Sequence, residues 1–273
     1  MGDQLDGSGD QAVQTRTEFE GQVYSYKKYI GKALIVNNKD FKGPEKAKKQ
    51  KTYSREGSEN DVQAIRQLLD KLGFEIQEEK NLTKSKLKET IHDLASRENY
   101  YKDVGCFLCV IMSFGEPGII ICPGEENRKD ERLEIKEIQA PFTGEKCKAL
   151  ATRPKIYFIM GNENYEEDDQ SDGPGIEMRK PETRKIPREC NFLTQCSHES
   201  DHGNWKEKKP SPYISAVIEA FTTHVVNLKE TGEDLDVLKV MTRINGIMVD
   251  KDAKIPLVTS LLTKRHHFRT TTA

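Results

Sequence analysis

The sequence has no long apolar run, and this absence argues against a membrane-spanning segment. Its longest uninterrupted apolar run covers residues 106–112, whereas a helix needs roughly 20 apolar residues to cross a bilayer. A short apolar run of this kind is typical of a buried strand. The first residues are polar and acidic and contain no apolar segment of the secretory type. We therefore expect no membrane partner and a cytoplasmic location.

The sequence also lacks an excess of charge of either sign. Its 43 lysines and arginines nearly balance 45 aspartates and glutamates, for a formal net charge of −2. The basic stretch from Lys46 to Lys51 is short and favours a solvated loop over a binding patch. Without a basic surface, the composition offers no electrostatic case for nucleic acid as a partner.

The cysteines and histidines show neither a disulfide framework nor a zinc pattern. Six cysteines in 273 residues are not spaced as such a framework, so reduced thiols in the cytosol are the simpler interpretation. Cys196, His198 and His202 lie close together in the sequence, but their spacing matches no standard zinc site. We expect neither a metal nor a cofactor.

Short apolar runs alternate with amphipathic segments along most of the chain. This alternation predicts an α/β fold with a mostly parallel sheet and helices on both faces. The predicted strands are 32–38, 74–79, 106–113, 118–122, 155–160, 191–197 and 255–262. The predicted helices begin after Ser58 and Thr83 and cover 133–142, 213–229 and 235–244, the last of these ending at Gly246.

The predicted caps of the first two helices rest on particular residues. Ser58, with Asp61 three residues later, predicts a capped start for the first helix. Gly73 should end that helix, because glycine tolerates the left-handed backbone. Thr83 should cap the second helix.

Composition divides the chain into four parts. Residues 1–22 form a short polar leader, and residues 23–165 form the larger folded piece. Residues 166–187 are acidic, then rich in glycine and proline, then basic, which predicts an exposed linker. Residues 188–273 form the smaller piece, and we expect one sheet to be built from both pieces.

Six segments in this order together resemble the caspases. They are YIGKALIVNNKDF, YSREGSENDV, FLCVIMSFGEPG, RPKIYFIMGNEN, CSHESDHGNWKEK and the tail MTRINGIMV…IPLVTSLLTKRHHF. The resemblance runs from about residue 24 to residue 268 and implies the caspase–hemoglobinase fold, with a six-stranded sheet. It also implies that 23–165 is the large subunit, 188–273 the small subunit, and 166–187 the linker between them.

The resemblance implies a catalytic histidine in a Ser-His-Gly-Glu stretch and a nucleophilic cysteine in Gln-Ala-Cys-X-Gly, about 50 residues apart. The corresponding positions here hold Phe114 and Asn162. Phenylalanine cannot accept a proton, and a neutral amide is a poor nucleophile. Gly115 occupies the oxyanion-hole position, although a turn glycine would look the same. The resemblance therefore predicts a caspase-like chain without peptidase activity.

Caspases bind a substrate aspartate through two arginines and a glutamine. The resemblance places Arg55 and Lys206 at the arginine positions, beside Trp205, and Met160 at the glutamine position. Lysine lacks the two-pronged fork that matches a carboxylate. Weak binding of an acidic peptide remains an alternative, but we favour Arg55 and Lys206 as surface charges.

Two further sites follow from the resemblance. Asp169 and Asp172 lie where caspases are cleaved between subunits, although an acidic solvated loop fits them equally well. The tail resembles the strand through which two small subunits pair, which assigns Pro256, Val258, Ser260 and Leu261 to a dimer interface.

Three hypotheses of function remain from the sequence. We favour a catalytically dead caspase that regulates an active caspase of the same organism by forming a heterodimer, activation being slightly favoured; a homodimer is also open. The second is a scaffold or adaptor, for which the leader looks too short. The third is a residual endopeptidase with displaced groups. That would need a cysteine or serine near a base at the carboxyl edge of the sheet, and we expect none there.

Overall fold

The computed structural model describes residues 22–24, 29–42, 53–124, 130–162, 190–199, 204–231 and 235–268. The predicted linker, the basic stretch Lys46–Lys51 and all but the last residue of the predicted leader lie outside the described residues.

Strands and helices alternate along the described part of the chain. The strands are β1 (Tyr29–Asn37), β2 (Asp40–Phe41), β3 (Tyr53–Ser54), β4 (Phe74–Lys80), β5 (Val104–Glu116), β6 (Ile119–Cys122), β7 (Glu131–Glu134), β8 (Lys155–Asn162), β9 (Phe192–Glu199), β10 (Leu235–Asp236), β11 (Leu257–Ser260) and β12 (His267–Phe268). The α-helices are α1 (Glu59–Leu72), α2 (Lys84–Ser96), α3 (Ile135–Gln139), α4 (Pro212–Thr231) and α5 (Val237–Asp250).

The central sheet has the strand order β11-β9-β8-β5-β1-β4. Neighbours from β9 to β4 are parallel, and β11 alone on this path runs antiparallel, against β9. β6 extends from β5 and pairs with β7. The predicted α/β fold with a mostly parallel sheet is confirmed; six strands lie on the main path, and β6 and β7 bring the described sheet to eight strands, not the predicted six. Because β8 and β9 are neighbours, the two predicted pieces of the chain share this sheet.

Each face of the sheet buries its own apolar core. Alternate residues of β5 divide between the two cores: Leu108, Val110 and Met112 face one, and Phe107, Cys109 and Ile111 face the other. Helices α1, α4 and α5 cover the first face, and α2 with α3 covers the second. A strand that is buried on both faces needs apolar residues at every position, which explains the run at 106–112.

Two of the three predicted caps are confirmed in detail. Gly73 ends α1 with φ of 82°, and the Thr83 side chain accepts a hydrogen bond from the backbone of Lys86. The prediction that Ser58 caps α1 through its side chain is wrong. Its hydroxyl instead accepts a hydrogen bond from Asn37 Nδ2 at 3.0 Å, because the end of β1 lies beside the start of this helix.

Two predicted helix boundaries are also wrong. Helix α5 continues through Gly246 to Asp250; Ile247 and Met248 are buried, so their packing outweighs the weak helix propensity of one glycine. The segment 133–142 is not one helix. Leu133 belongs to β7, where it is buried opposite Ile120, and the helix begins only at Ile135.

Candidate functional site

The two predicted catalytic positions are neighbours at the carboxyl edge of the sheet. Phe114 lies near the end of β5 and Asn162 ends β8, and the register of these parallel strands places the two residues opposite each other. In open α/β sheets, ligands bind at this edge. The structure therefore brings together the two positions that the sequence predicted.

Phe114 is part of a small apolar cluster. Its side chain is 7% exposed, and its ring centroid lies 4.8 Å from that of Phe41 at a tilted angle. Ile121 completes the cluster. A benzyl side chain in this environment can neither accept nor donate a proton.

Asn162 is held by a hydrogen bond from a buried arginine. Its Oδ1 accepts from Arg55 Nε at 2.8 Å. Arg55 Nη1 also donates to Asn37 Oδ1 at 2.9 Å and to the carbonyl of Asn38 at 3.0 Å. The guanidinium thus ties the ends of β1 and β8 together.

The structure corrects the expectation that Arg55 is a surface charge. The residue is 1% exposed, and three neutral oxygens accept hydrogen bonds from its guanidinium. Lys206, by contrast, is exposed, as predicted. The ring of Trp205 lies 5.1 Å from Arg55 Cζ, within the range of a cation–π contact.

Met160 is fully buried on the same strand as Asn162. Its sulfur accepts a hydrogen bond from the Ser211 hydroxyl at 3.2 Å. A thioether accepts only weakly and cannot donate. The position that the resemblance assigns to an amide therefore offers no donor for a carboxylate.

A buried carboxylate that the sequence analysis treated only as part of a helix cap holds the loop around Trp205. Asp61 Oδ2 accepts from Trp205 Nε1 at 3.0 Å, and Oδ1 accepts from the Ser211 backbone at 2.6 Å. Burial raises the pKa of Asp61 to about 6, although the bond from Ser211 and the nearby charge of Arg55 oppose this rise. Gly57 lies under the same loop with φ of 92°, and a Cβ there would lie 2.5 Å from Trp205 Cβ.

Gly115 lies in β5 rather than in a turn. It pairs with Ile120 of β6, and a Cβ at this position would lie 2.5 Å from the carbonyl oxygen of Ile119. The neighbouring turn is made instead by Gly118, with φ of 84°. Close approach of β6 therefore explains the glycine.

The cysteine thiols whose pKa values are perturbed are all less reactive than a free thiol. Burial raises the pKa of Cys122 to about 12 and that of Cys196 to about 11. Burial also raises the pKa of Cys147, and it raises those of Cys106 and Cys109 far above the ordinary value. A nucleophilic thiol needs the opposite shift.

A serine and a histidine follow each other on β9 near the carboxyl edge, but consecutive side chains of a strand point to opposite faces of the sheet, so the absence of a serine near a base stays a prediction. Ser197 and His198 lie on β9 opposite Met160 and Gly161, and Ser113 lies on β5 opposite Gly161. Both serines are buried, and Ser113 Oγ donates to the carbonyl of Ile121 at 2.5 Å. This bond gives Ser113 a structural role.

Within the described ranges, no group of three histidines, cysteines, aspartates or glutamates could hold a metal ion. His202 lies outside those ranges, as do Asp169 and Asp172, the predicted processing residues. No helix in the described part of the chain is long and apolar enough to cross a membrane.

The predicted pairing strand, β11, forms one lateral edge of the sheet, and β4 forms the other; the edge at β11 is called the lateral edge below. β11 pairs with β9 on one side, and no described strand pairs with it on the other. Leu261 N–H donates to the carbonyl of Phe192 at 2.8 Å, so the alternation along the strand directs the backbone groups of Val258 and Ser260 away from β9.

The side chains of this edge differ in exposure. Leu257 is 69% exposed and Leu261 is 39% exposed. Ser260 is also exposed, whereas Val258 is half-buried against the core and Pro256 is buried. Leu257, which the sequence analysis left out of the interface, is the most exposed large apolar residue of this strand.

The strand order and the helical layers define an α/β protein of the caspase fold. The structure titled "structure of pro-sf-caspase-1" matches 91% of this chain and 98% of its own, with a TM-score of 0.67 at 23% identity. Residues 30–267 match the caspase domain family, Peptidase_C14. The chain belongs to the caspase family.

Curated relatives include two vertebrate caspases. Caspase-7 of Gallus gallus is 27% identical over 263 residues, which cover 89% of this chain and 78% of the relative. Caspase-3 of Oryctolagus cuniculus is 25% identical over 254 residues, which cover 88% and 84%. The chain is thus related to caspases 3 and 7.

Proposed function

We propose that the protein is a catalytically inactive caspase that regulates an active caspase of the same organism, and through it apoptosis, in the cytoplasm. The observation that carries the proposal is the pair Phe114 and Asn162. These residues occupy adjacent positions at the carboxyl edge, where the family resemblance places the histidine and the cysteine. Loss of one member of a catalytic unit can cost as much as loss of all of them, on the order of 10⁶-fold.

The arginine network supports the same conclusion for substrate binding. Arg55 donates a hydrogen bond from Nε to Asn162 and hydrogen bonds from Nη1 to Asn37 and Asn38. A substrate carboxylate that bound Nε or Nη1 would have to displace these neutral acceptors inside a buried site. Lys206 is exposed and Met160 offers no donor, so we expect a peptide that ends in aspartate to bind only weakly.

Regulation would use the lateral edge. The outward backbone groups of Val258 and Ser260, with the exposed side chain of Leu257, offer a second chain a strand to pair with. Pairing with an active caspase gives a heterodimer, which could order the loops of the partner; we slightly favour activation. Pairing with itself gives a homodimer.

A peptidase assay tests the proposal. The purified chain is incubated with an aspartyl fluorogenic peptide, alone and with a panel of active caspases from the same organism. We expect no cleavage by the chain alone and a dose-dependent change in the rate of at least one partner. Cleavage by the chain alone, after contamination has been excluded, would overturn the claim of inactivity.

The second candidate is a scaffold for other components of the cell-death machinery. This candidate also assumes that the chain has no peptidase activity. It would be favoured if the chain changes the rate of no active caspase. The third, a residual endopeptidase, would have to use Ser197 or His198 on β9. A fluorophosphonate probe that labels the folded chain would favour it.

A further inference from the structure

Separate segments of the chain meet at the side chain of Asn191, just before β9. Tyr24 donates its hydroxyl hydrogen to Asn191 Oδ1 at 2.6 Å, and the Thr263 hydroxyl donates to the same oxygen at 2.8 Å. Asn191 Nδ2 donates to the carbonyl of Ala151 at 3.0 Å. Tyr24 is 7% exposed and Asn191 is 5% exposed, so water competes little for the bond between these two residues, whereas Thr263 is exposed.

The backbone of Asn191 holds the residue that comes directly after the edge strand. Its N–H donates to the carbonyl of Leu261 at 2.8 Å, and Leu261 N–H donates to Phe192 at the same distance. The carbonyl of Asn191 accepts from Lys155 N–H at 2.8 Å, which anchors it to β8. Asn191 has φ of 68°, a backbone that asparagine tolerates better than most residues. The side-chain bonds therefore fix the backbone groups that secure β11.

Tyr24 is itself attached to the tail that comes after β11. Its backbone N–H donates to the carbonyl of Arg265 at 3.0 Å, and Arg265 N–H donates to Gln22 at 3.1 Å. Its hydroxyl oxygen also accepts from Thr263 N–H at 3.0 Å. One hydroxyl group thus bonds both to the start of the small piece and to the tail.

We propose that Tyr24 is a positioning residue for the edge strand: seated against Asn191 and Thr263, it holds the Leu261 end of β11 on the sheet in the geometry for pairing. Release of the Tyr24 segment would loosen this end and weaken pairing with a partner caspase. The inference rests on the proposed function for its consequence, but its structural part concerns the isolated chain.

Hydrogen–deuterium exchange of the isolated full chain tests this inference without any partner. In Tyr24→Phe the ring stays and the hydroxyl is lost. We expect exchange of the Leu261 and Asn191 amides to rise about fivefold, because a buried hydrogen bond restrains this local opening. Asn191→Gly, which keeps the backbone permissive, should raise it further.

Tyr101→Phe is the matched control. Tyr101 is fully buried, and its hydroxyl has no hydrogen-bond partner among the described residues. This change should leave the edge amides unaltered. If Tyr24→Phe and wild type exchange equally at Leu261 and Asn191, the inference is overturned.

The caspase assay separates this inference from the proposed function. Faster edge exchange in Tyr24→Phe, together with a weaker effect on the partner caspase, supports both. Faster exchange with no caspase responding to the wild-type chain supports the role of Tyr24 and counts against regulation by pairing. A weaker effect on the caspase without any change in exchange overturns the role of Tyr24.

Discussion

The carboxyl edge and the lateral edge of the same sheet differ in whether their hydrogen-bonding groups are paired within the protein. At the carboxyl edge, Asn162 and Arg55 bond each other inside a buried network. At the lateral edge, the backbone groups of Val258 and Ser260 point away from the sheet, and no described strand takes them up. Among the described residues, β11 therefore offers unpaired backbone groups to a partner at one lateral edge, and β4 forms the other lateral edge of the sheet.

The largest effect is expected from removal of Arg55, whose hydrogen bonds form the buried network at the carboxyl edge. Arg55→Leu should lower the free energy of unfolding by about 3 kcal/mol, because hydrogen bonds to a charged group are worth about 1.5–3 kcal/mol each and buried acceptors would be left unpaired. Urea unfolding measures the loss. Lys206→Leu, at an exposed position of the same predicted pocket, should change it by less than about 0.5 kcal/mol. If both substitutions lowered the free energy of unfolding equally, the buried network of Arg55 would be contradicted.

Restoring one catalytic group should weaken the fold without restoring catalysis. Phe114→His should lower the free energy of unfolding by about 2 kcal/mol, because a polar ring would replace a buried one against Phe41 and Ile121. Peptidase activity should stay at background. Phe114→Leu keeps the site apolar and should cost less. A stable Phe114→His variant that cleaves an aspartyl peptide would refute the account of the carboxyl edge.

Acid should act on the tail that comes after β11. Burial, with the neighbouring His267, lowers the pKa of His266 to about 3 from an ordinary 6.5. Neutral His266 therefore contributes stability that is complete above pH 6.5 and is lost as the pH falls toward 3. Between pH 8 and pH 5 the loss is about 2 kcal/mol, at 1.36 kcal/mol per pKa unit. The free energy of unfolding, measured with urea from pH 8 to pH 5, should fall by about 2 kcal/mol more in the wild type than in His266→Gln. Equal changes in the two proteins would contradict this prediction.

The carboxyl edge should respond to acid with the opposite sign and a smaller effect. The pKa of Asp61 is raised to about 6 from 3.8, chiefly by burial. Its protonation therefore favours the folded state, and this contribution is lost as the pH rises through 6. From pH 8 to pH 5 the gain is about 1 kcal/mol. Asp61→Asn should remove this slope. NMR titration of the Asp61 carboxyl carbon should give a midpoint near pH 6. A midpoint near pH 4 would refute the raised pKa.

The local sequence pattern predicted where the site lies, but not which of its residues bond to one another. Phe114 and Asn162 were placed at strand ends from the sequence, because short apolar runs mark β5 and β8 and the caspase resemblance aligns the ends of both runs. The burial of Arg55 was missed because its acceptors come from the ends of β1 and β8, which only the folded sheet brings together. The sequence shows no signal for that meeting.

The same limit applies to other parts of the fold. Gly246 looks like a helix end, yet packing of Ile247 and Met248 carries α5 onward. Tyr24 and Asn191 are 167 residues apart in the chain, and nothing in either local segment predicts their bond. Asp61 stands three residues after Ser58 and suggested a capping box, but its carboxylate binds the loop of Trp205 instead.

A titration with matched variants at the lateral edge tests the central claim most directly. The rate of a responsive active caspase is measured as a function of the concentration of this chain, in wild type, Leu257→Lys and Leu238→Lys. Both leucines are exposed, at 69% and 39%, but only Leu257 lies on β11. The account predicts that Leu257→Lys abolishes the change in rate and that Leu238→Lys keeps it. An undiminished response to Leu257→Lys would contradict regulation through this strand.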